Sequence, residues 1–431
     1  MDVVEQYMQG LYEEGLYPDK FVCHGKQGNL VDIEEAATGT RHQVTTFCTN
    51  DVLGLVQSED VQKAAIEAIV QYGTSNSSCS VLSGRIDLHR QLEREISEFK
   101  HLPHTQLFLN AWMALQALMD GFCHLAVPVP GFEHKRETLI LTDVLNHGCI
   151  VSAVVNAGNR SGKMFGYSPT VRVKAYRHCD MNDLARKLRR YAKPDDRIVV
   201  ISDAVFSMDG DIVPLPDMLD VMADYPGSVV VMDEAHASGA IGATGGGIYE
   251  HFHIHPQQAI DRGLVPIIMT TFSKFAASAG AAISSHSRAL IDLLDVSPTS
   301  IGTISLPPPT TAAALESIRQ VRQHPELVAT LQDNTRYLRS RISEAGFEAI
   351  GETNVIPVLL PTDLNPKVFA QHMLDRYQVW VSPIWFIAKP RLRITANALH
   401  DRPQMDRLVD AMVNTRDYLK AEAKSPVSAS A

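Results

Sequence analysis

The chain has no run of uncharged apolar residues approaching the roughly 18 that a membrane-spanning helix needs. The longest, 107–119, is too short and is interrupted by Asn110 and Gln116, so no membrane partner is expected. An excess of positive charge is missing too: the formal balance is −10, which argues against nonspecific binding to nucleic acid or to anionic membranes and points to a small-molecule partner. The six cysteines, Cys23, Cys48, Cys79, Cys123, Cys149 and Cys179, show neither CxxC spacing nor any metal-ligand grouping. They read as reduced, mostly buried thiols of a cytoplasmic protein without a metal site. The first residues are acidic and amphipathic, without the basic start and apolar core of a secretory signal, and no internal repeat is visible.

What is present is ordinary globular composition: 431 residues, 45% apolar and 20% charged, enough for about two or three domains. One stretch organises them. The run 229–232 is unbroken and mostly β-branched, as in a strand buried on both faces of a parallel sheet, and it ends abruptly in Asp233, Glu234 and His236. Ligands bind at the carboxyl ends of such strands. A second apolar run, 265–270, leads into Thr271, Phe272, Ser273 and Lys274. Asp233 and His236 alone could be strand-end groups bonded to backbone. A lysine just past a buried strand is better suited to condensing with an aldehyde than to solubilising the surface. An Asp and a Lys at two central strand ends supply a carboxylate for a pyridinium nitrogen and an amine for a Schiff base, the two anchors of pyridoxal phosphate.

Along the chain, residues 1–50 read as a helical arm followed by short strands. A helix starting at Ser58 stops at Gly73, and Asp87 is expected to cap the next, with His89 in its first turn. From Thr105 to about 305 short apolar runs alternate with helices, as a doubly wound sheet requires, with strands at 106–109, 139–143 and 197–201. Pro307, Pro308 and Pro309 mark a boundary. Beyond it the rhythm is that of a smaller αβ domain on an antiparallel or mixed sheet. The expected division is therefore an arm (1–50), a large domain (51–305), a small C-terminal domain (306–424) and a small, polar, disordered tail (425–431).

The motifs TNDVLGL (49–55), YG…SG…HRQLE (72–93), LNHG (145–148), FSMDGDIVPL (206–215), DEAHASGAIG (233–242), TTFSK (270–274), SLPPP (305–309) and RLRITANALH (391–400), in this order, resemble the α-oxoamine synthases. That family of fold type I pyridoxal-phosphate enzymes includes 8-amino-7-oxononanoate synthase, 2-amino-3-ketobutyrate ligase, 5-aminolevulinate synthase and serine palmitoyltransferase. The resemblance implies an α/β fold with a mostly parallel seven-stranded sheet and a smaller C-terminal αβ domain. It implies that Lys274 forms the Schiff base and moves the α-proton, and that Asp233 pairs with the ring nitrogen. His236 would hold the phenolic oxygen, His147 would stack on the ring, and Ser207 would lie near its plane. Thr271 and the backbone at Ala111 and Trp112 would bind the phosphate. Asn50 and Arg393 would serve the substrate, Arg393 holding its α-carboxylate with Arg391 as the alternative. The reaction implied is a decarboxylative Claisen condensation of an α-amino acid with an acyl thioester of coenzyme A or a carrier protein, in a homodimer. Another reaction on the same cofactor, such as transamination, is the alternative.

The chain departs from the family pattern at Ser75, at Ser78, Cys79 and Ser80 in place of Gly-Ser-Arg, at Asn110, Ala111 and Trp112 in place of Ser-Gly-Tyr, at Leu115, and at Val52. These changes spare the cofactor anchors and suggest a substrate pair unlike those of the four named enzymes, with a place in secondary metabolism. A nucleotidase reading of DEAH fails for want of a phosphate loop: GNRSGKM (158–164) is one residue short and has Met164 where a hydroxyl belongs.

Overall fold

Seven strands carry the larger part of the molecule: β1 (His104–Phe108), β2 (Thr138–Asp143), β3 (Val171–Tyr176), β4 (Arg197–Asp203), β5 (Val229–Asp233), β6 (Val265–Thr271) and β7 (Ala281–Ser285). They lie in the order β1-β7-β6-β5-β4-β2-β3. β7 is antiparallel to both neighbours, and the pairings from β6 through β5, β4 and β2 to β3 are parallel. The structure, a computed structural model, describes residues 2–13, 17, 21–123, 137–159, 170–385 and 388–423; the tail 425–431 and most of 158–164 lie outside them.

The expectation for 229–232 holds for a simple reason. Successive side chains of a strand point to opposite faces, and both faces of this sheet are covered. Val230 and Met232 enter one apolar core with Leu141, Val200 and Ile268. Val229 and Val231 enter the other with Ile140, Val199 and Met269. Strands buried on both sides have no room for polar residues until they emerge, which is why β4, β5 and β6 end in Asp203, Asp233 and Thr271.

Contacts divide the chain into two compact units. One comprises Asn50–Asp333 with Glu352–Asn354, the other Met1–Thr49, Asn334–Gly351 and Val355–Ala431. The helix Pro308–Gln323 packs on the helices Glu59–Tyr72 and Asp87–Lys100 of the first unit, so the contacts do not divide the chain at 306. The strands Phe21–His24, Leu30–Glu35 and Arg41–Thr46 belong with the C-terminal residues, because Arg41–Thr46 pairs in parallel with Val379–Trp380. The second unit's other sheet, Glu348–Ala349, Val355–Leu359, Arg391–Thr395 and Ser382–Ile384, is antiparallel throughout.

Ser58 and Gly73 bound their helix as read from the sequence. Asp87 does not cap the next one: Ile86 occupies the N-cap and Asp87 is the first helical residue. The capping partner is His89, whose Nδ1 accepts the Ile86 amide at 3.1 Å while Nε2 lies 2.7 Å from the Leu306 carbonyl. Among the described residues no helix is long and apolar enough to cross a membrane.

Candidate active site

Asp233 closes β5 with 1% of its surface exposed. Oδ1 accepts the Ala235 amide at 2.9 Å, and Oδ2 faces the Cys149 thiol at 3.8 Å. Burial raises its pKa to about 6, against the pull of the Ala235 amide and the Lys274 charge. Directly across the strand pair lies Asp203, in register and also buried. Burial first, then the charge of Asp233, pushes its carboxyl well above the usual range. Two acids brought together out of water need a proton or a cation between them and their surroundings.

His147 sits beside this pair. Its backbone amide donates to Asp203 Oδ2 at 2.6 Å, and the Asn146 side chain braces the segment by donating to the Ile201 carbonyl and accepting the Asp203 amide. The residue is exposed, but its Nδ1 edge is enclosed: the Cys149 amide reaches it at 3.2 Å and the Cys149 sulfur at 2.8 Å. Burial of that edge, with Lys274 nearby, lowers its pKa.

Lys274 is half-buried in the connection between β6 and β7. The ends of that connection are fixed, since Thr271 pairs with Ala281, Phe272 donates to Gly280 and Ser278 to Phe272. Phe275, fully buried, anchors the next residue against the turn after β5. A Cβ on Gly239, which has φ of 73°, would lie 2.4 Å from the Phe275 side chain. Glycine there lets the turn carrying His236 come down on the segment carrying Lys274. His236 is half-buried in that turn, three residues beyond Asp233.

The turn has its own brace. Lys100, fully buried, donates to Glu234 Oε2 at 2.6 Å, to Ser238 Oγ at 2.7 Å and to the Gly246 carbonyl at 2.9 Å. Glu234 Oε1 accepts the Ile248 amide at 2.9 Å. The second acid of DEAH is thus committed to structure.

The residue types suit pyridoxal phosphate. The buried Asp233 carboxylate is matched by a ring N–H⁺ and the Lys274 amine by an aldehyde. Two buried polar atoms, Thr270 Oγ1 and Asn50 Oδ1, make no hydrogen bond within the protein. For the phosphate, Thr271 Oγ1 lies 3.1 Å from Ser273 Oγ and 3.2 Å from the Gly280 carbonyl. Ala111 and Trp112 open the helix Ala111–Cys123, with Asn110 Oδ1 accepting the Met113 amide. Ser207 is half-buried in the turn after β4.

Asn50, Ala111, Trp112, His147, Ser207, Asp233, His236, Thr271 and Lys274 fall in one unit, while Arg391 and Arg393 fall in the other, both buried in the strand Arg391–Thr395. The sequence reading gave no role to Cys149, Asp203, Asn146 or Ser273. Asp203 could have been found by the signal that found Asp233, an acid ending an apolar run.

A further cluster lies close by. Asp143, His178 and Cys179 bring ligand atoms within 4.8 Å of one another, but both nitrogens of His178 are engaged, Nδ1 by Asp143 at 3.1 Å and Nε2 by Asp211 at 2.5 Å. Burial opposes a charge on His178, yet hydrogen bonds to Asp143 and Asp211 raise its pKa to about 12. It is an imidazolium clamp that ties the end of β2 to the turn carrying Ser207.

Residues 42–412 match the family model of class I and II aminotransferases. The chain is 30% identical to the 8-amino-7-oxononanoate synthase of Symbiobacterium thermophilum over 95% of its own length and 96% of that protein's. It is also 30% identical to that of Geobacter sulfurreducens, over 94% and 95%. In fold it is similar to the serine palmitoyltransferase of Sphingomonas wittichii, with a TM-score of 0.82 at 21% identity over 97% of this chain and 98% of that one. The 8-amino-7-oxononanoate synthase of Francisella tularensis superposes with a TM-score of 0.65 at 18% identity over 87% and 98%.

Proposed function

Because the chain belongs to the pyridoxal-phosphate-dependent α-oxoamine synthase family, we propose that Lys274, Asp233, His236 and His147 carry out its decarboxylative condensation of an α-amino acid with an acyl thioester, which yields an α-aminoketone. The observation that bears most weight is a buried, cation-seeking Asp233 at the end of β5 with Lys274 just past the end of the adjacent β6.

When bound, the cofactor supplies an electron-accepting ring that takes up the electron pair left on the amino acid's Cα. Lys274 Nζ would hold the cofactor through its aldehyde carbon and, once displaced, take the proton from Cα. Asp233 would keep a proton on the ring nitrogen. His236 would hold the phenolic oxygen, His147 would cover one ring face, and Ser207 would lie near the ring plane. Thr271 and the first amides of the helix Ala111–Cys123 would bind the phosphate, where the helix dipole favours negative charge. Arg393 would grip the substrate carboxylate through paired N–H donors, and Asn50, with its unpaired buried oxygen, would contact the same substrate.

The departures at Ser75, Ser78–Ser80 and Asn110–Trp112 support an amino acid and acyl group other than those of the named relatives, with coenzyme A and a carrier protein both open as the thiol. Free thiols at the described cysteines agree with work in the cytoplasm. A homodimer is supported by half-exposed Trp112, Val144 and Leu145. Trp112 lies against the start of the helix that follows His147, and a second copy would cover these side chains.

The test offers mixed amino acids and acyl thioesters to the purified enzyme, with Lys274→Ala as control, and follows free thiol and product mass. Amino-acid-dependent thiol release that vanishes in the variant is expected. Amino-group transfer without thiol release would make the protein an aminotransferase.

A further inference from the structure

In the sheet that Phe21–His24, Leu30–Glu35 and Arg41–Thr46 form with Val379–Trp380, side chains alternate between the two faces. One face carries Val31, Ile33 and Val44, which pack with Leu374 of the helix Pro366–Tyr377 in an apolar cluster. His42, paired across from Ile33, and Glu35, two residues past it, lie on the same face. The apolar base therefore ends in a polar rim. Asp375, next to Leu374, meets that rim from the helix: one ligand atom each of Glu35, His42 and Asp375 lies within 4.8 Å of the others. All three residues belong to the same compact unit.

Two observations set this trio apart from a chance meeting of surface charges. Gln371, one helical turn before Asp375, donates to Glu35 Oε1 at 3.3 Å and to Asp375 Oδ1 at 2.9 Å. A single amide thus holds two carboxylates toward each other. In addition, His42 Nε2 is buried and makes no hydrogen bond, although Glu35 Oε1 is only 3.3 Å away. At that distance a hydrogen bond fails on direction, so the ring nitrogen points past the oxygen instead of at it. Ligands around a tetrahedral ion do the same: they stand about 3.4 Å apart, each lone pair aimed at the ion and not at its neighbour.

We propose that Glu35, His42 and Asp375 form a binding site for a divalent transition-metal ion of the zinc type. An imidazole beside two carboxylates suits zinc and its first-row neighbours better than calcium or magnesium, which take oxygen ligands. Glu35 Oε1 has a second lone pair besides the one Gln371 uses. Gln371 would orient both carboxylates from outside the coordination sphere, and water would complete it. Drawing its ligands from positions 35, 42 and 375, the ion would tie the amino-terminal hairpin to a helix near the other end of the chain, a long closure that favours the folded state. None of the residues assigned to the condensation takes part, so the site stands or falls apart from that reading.

The test is calorimetric titration of zinc chloride into the full-length, cofactor-loaded enzyme after its metals have been removed by a chelator, with the thermal midpoint followed in parallel. Wild type should take up one zinc ion per chain more than His42→Ala or Asp375→Asn, and zinc should raise its midpoint more than theirs. Gln371→Ala should weaken that ion's binding about ten- to a hundredfold. Asp375 is exposed, so its variant keeps the test decisive if His42→Ala fails to fold. Zinc that binds the wild type and the variants alike is adventitious and overturns the proposal. A wild type that binds none overturns it too, and leaves His42 as an imidazolium among carboxylates.

Discussion

His178 shows how one side chain can be a cation by construction. Its pKa is about 12 in the folded protein against about 6.5 in an unfolded chain, so the clamp's contribution is complete below about pH 6.5 and is lost as the pH climbs toward the folded value. The thermal midpoint of the wild type should therefore fall between pH 7 and 10 more steeply than that of His178→Gln. At pH 6 the substitution should cost about 3 kcal/mol, because it leaves the buried Asp143 with the Leu145 and Cys179 amides but without its counter-charge; equal slopes for the two proteins would contradict the clamp. Lys274 and Asp233 were legible in the sequence because each follows an apolar run. Cys149 was not, since a cysteine in an apolar helix reads as packing and only the fold sets its sulfur between His147 and Asp233.

At the level of elements, the connection from β5 to the helix Ile248–His251 depends on one buried ion pair. Lys100→Met would strand Glu234 without its counter-charge and should destabilise the protein by about 3–5 kcal/mol in urea unfolding. The double variant with Glu234→Gln should recover part of that loss, whereas additive costs would mean that the two do not act as a pair. Gly247→Ala attacks the same joint from the other side: its Cβ would fall 2.1 Å from Glu234 Oε2, at a residue with φ of 98°. It should lower both the thermal midpoint and the retention of pyridoxal phosphate. Strands rich in Val and Ile were readable, but β7 was not. Ala281 to Ser285 is a run of Ala, Ile and Ser in which only Ile has a strong strand preference, and it becomes a strand because it pairs along its whole length with both β1 and β6.

For the whole molecule, the proposed homodimer makes a checkable claim. Leu145→Glu places a charge on a side chain that is 49% exposed in the single chain. In sedimentation it should shift the protein from twice the chain mass toward one, with cofactor content falling in step. An unchanged mass would put the partner elsewhere. The doubly wound sheet and the smaller αβ unit were both foreseeable from alternating runs, whereas the true membership of the units was not. Proline at 307 looks like a border in one dimension, yet the helix that follows has its apolar face matched to helices laid down some 200 residues earlier, and only folding brings those faces together.

The reversed strand β7 also sets a timetable. β1 cannot close its edge until β7 exists, and roughly 170 residues separate the paired Phe108 and Ala281; at about 5–20 residues per second a ribosome takes roughly 10–35 s to cover that distance. Throughout that interval the edge of 104–108 that β7 will cover has no partner strand, and a nascent chain must keep it from pairing with another molecule.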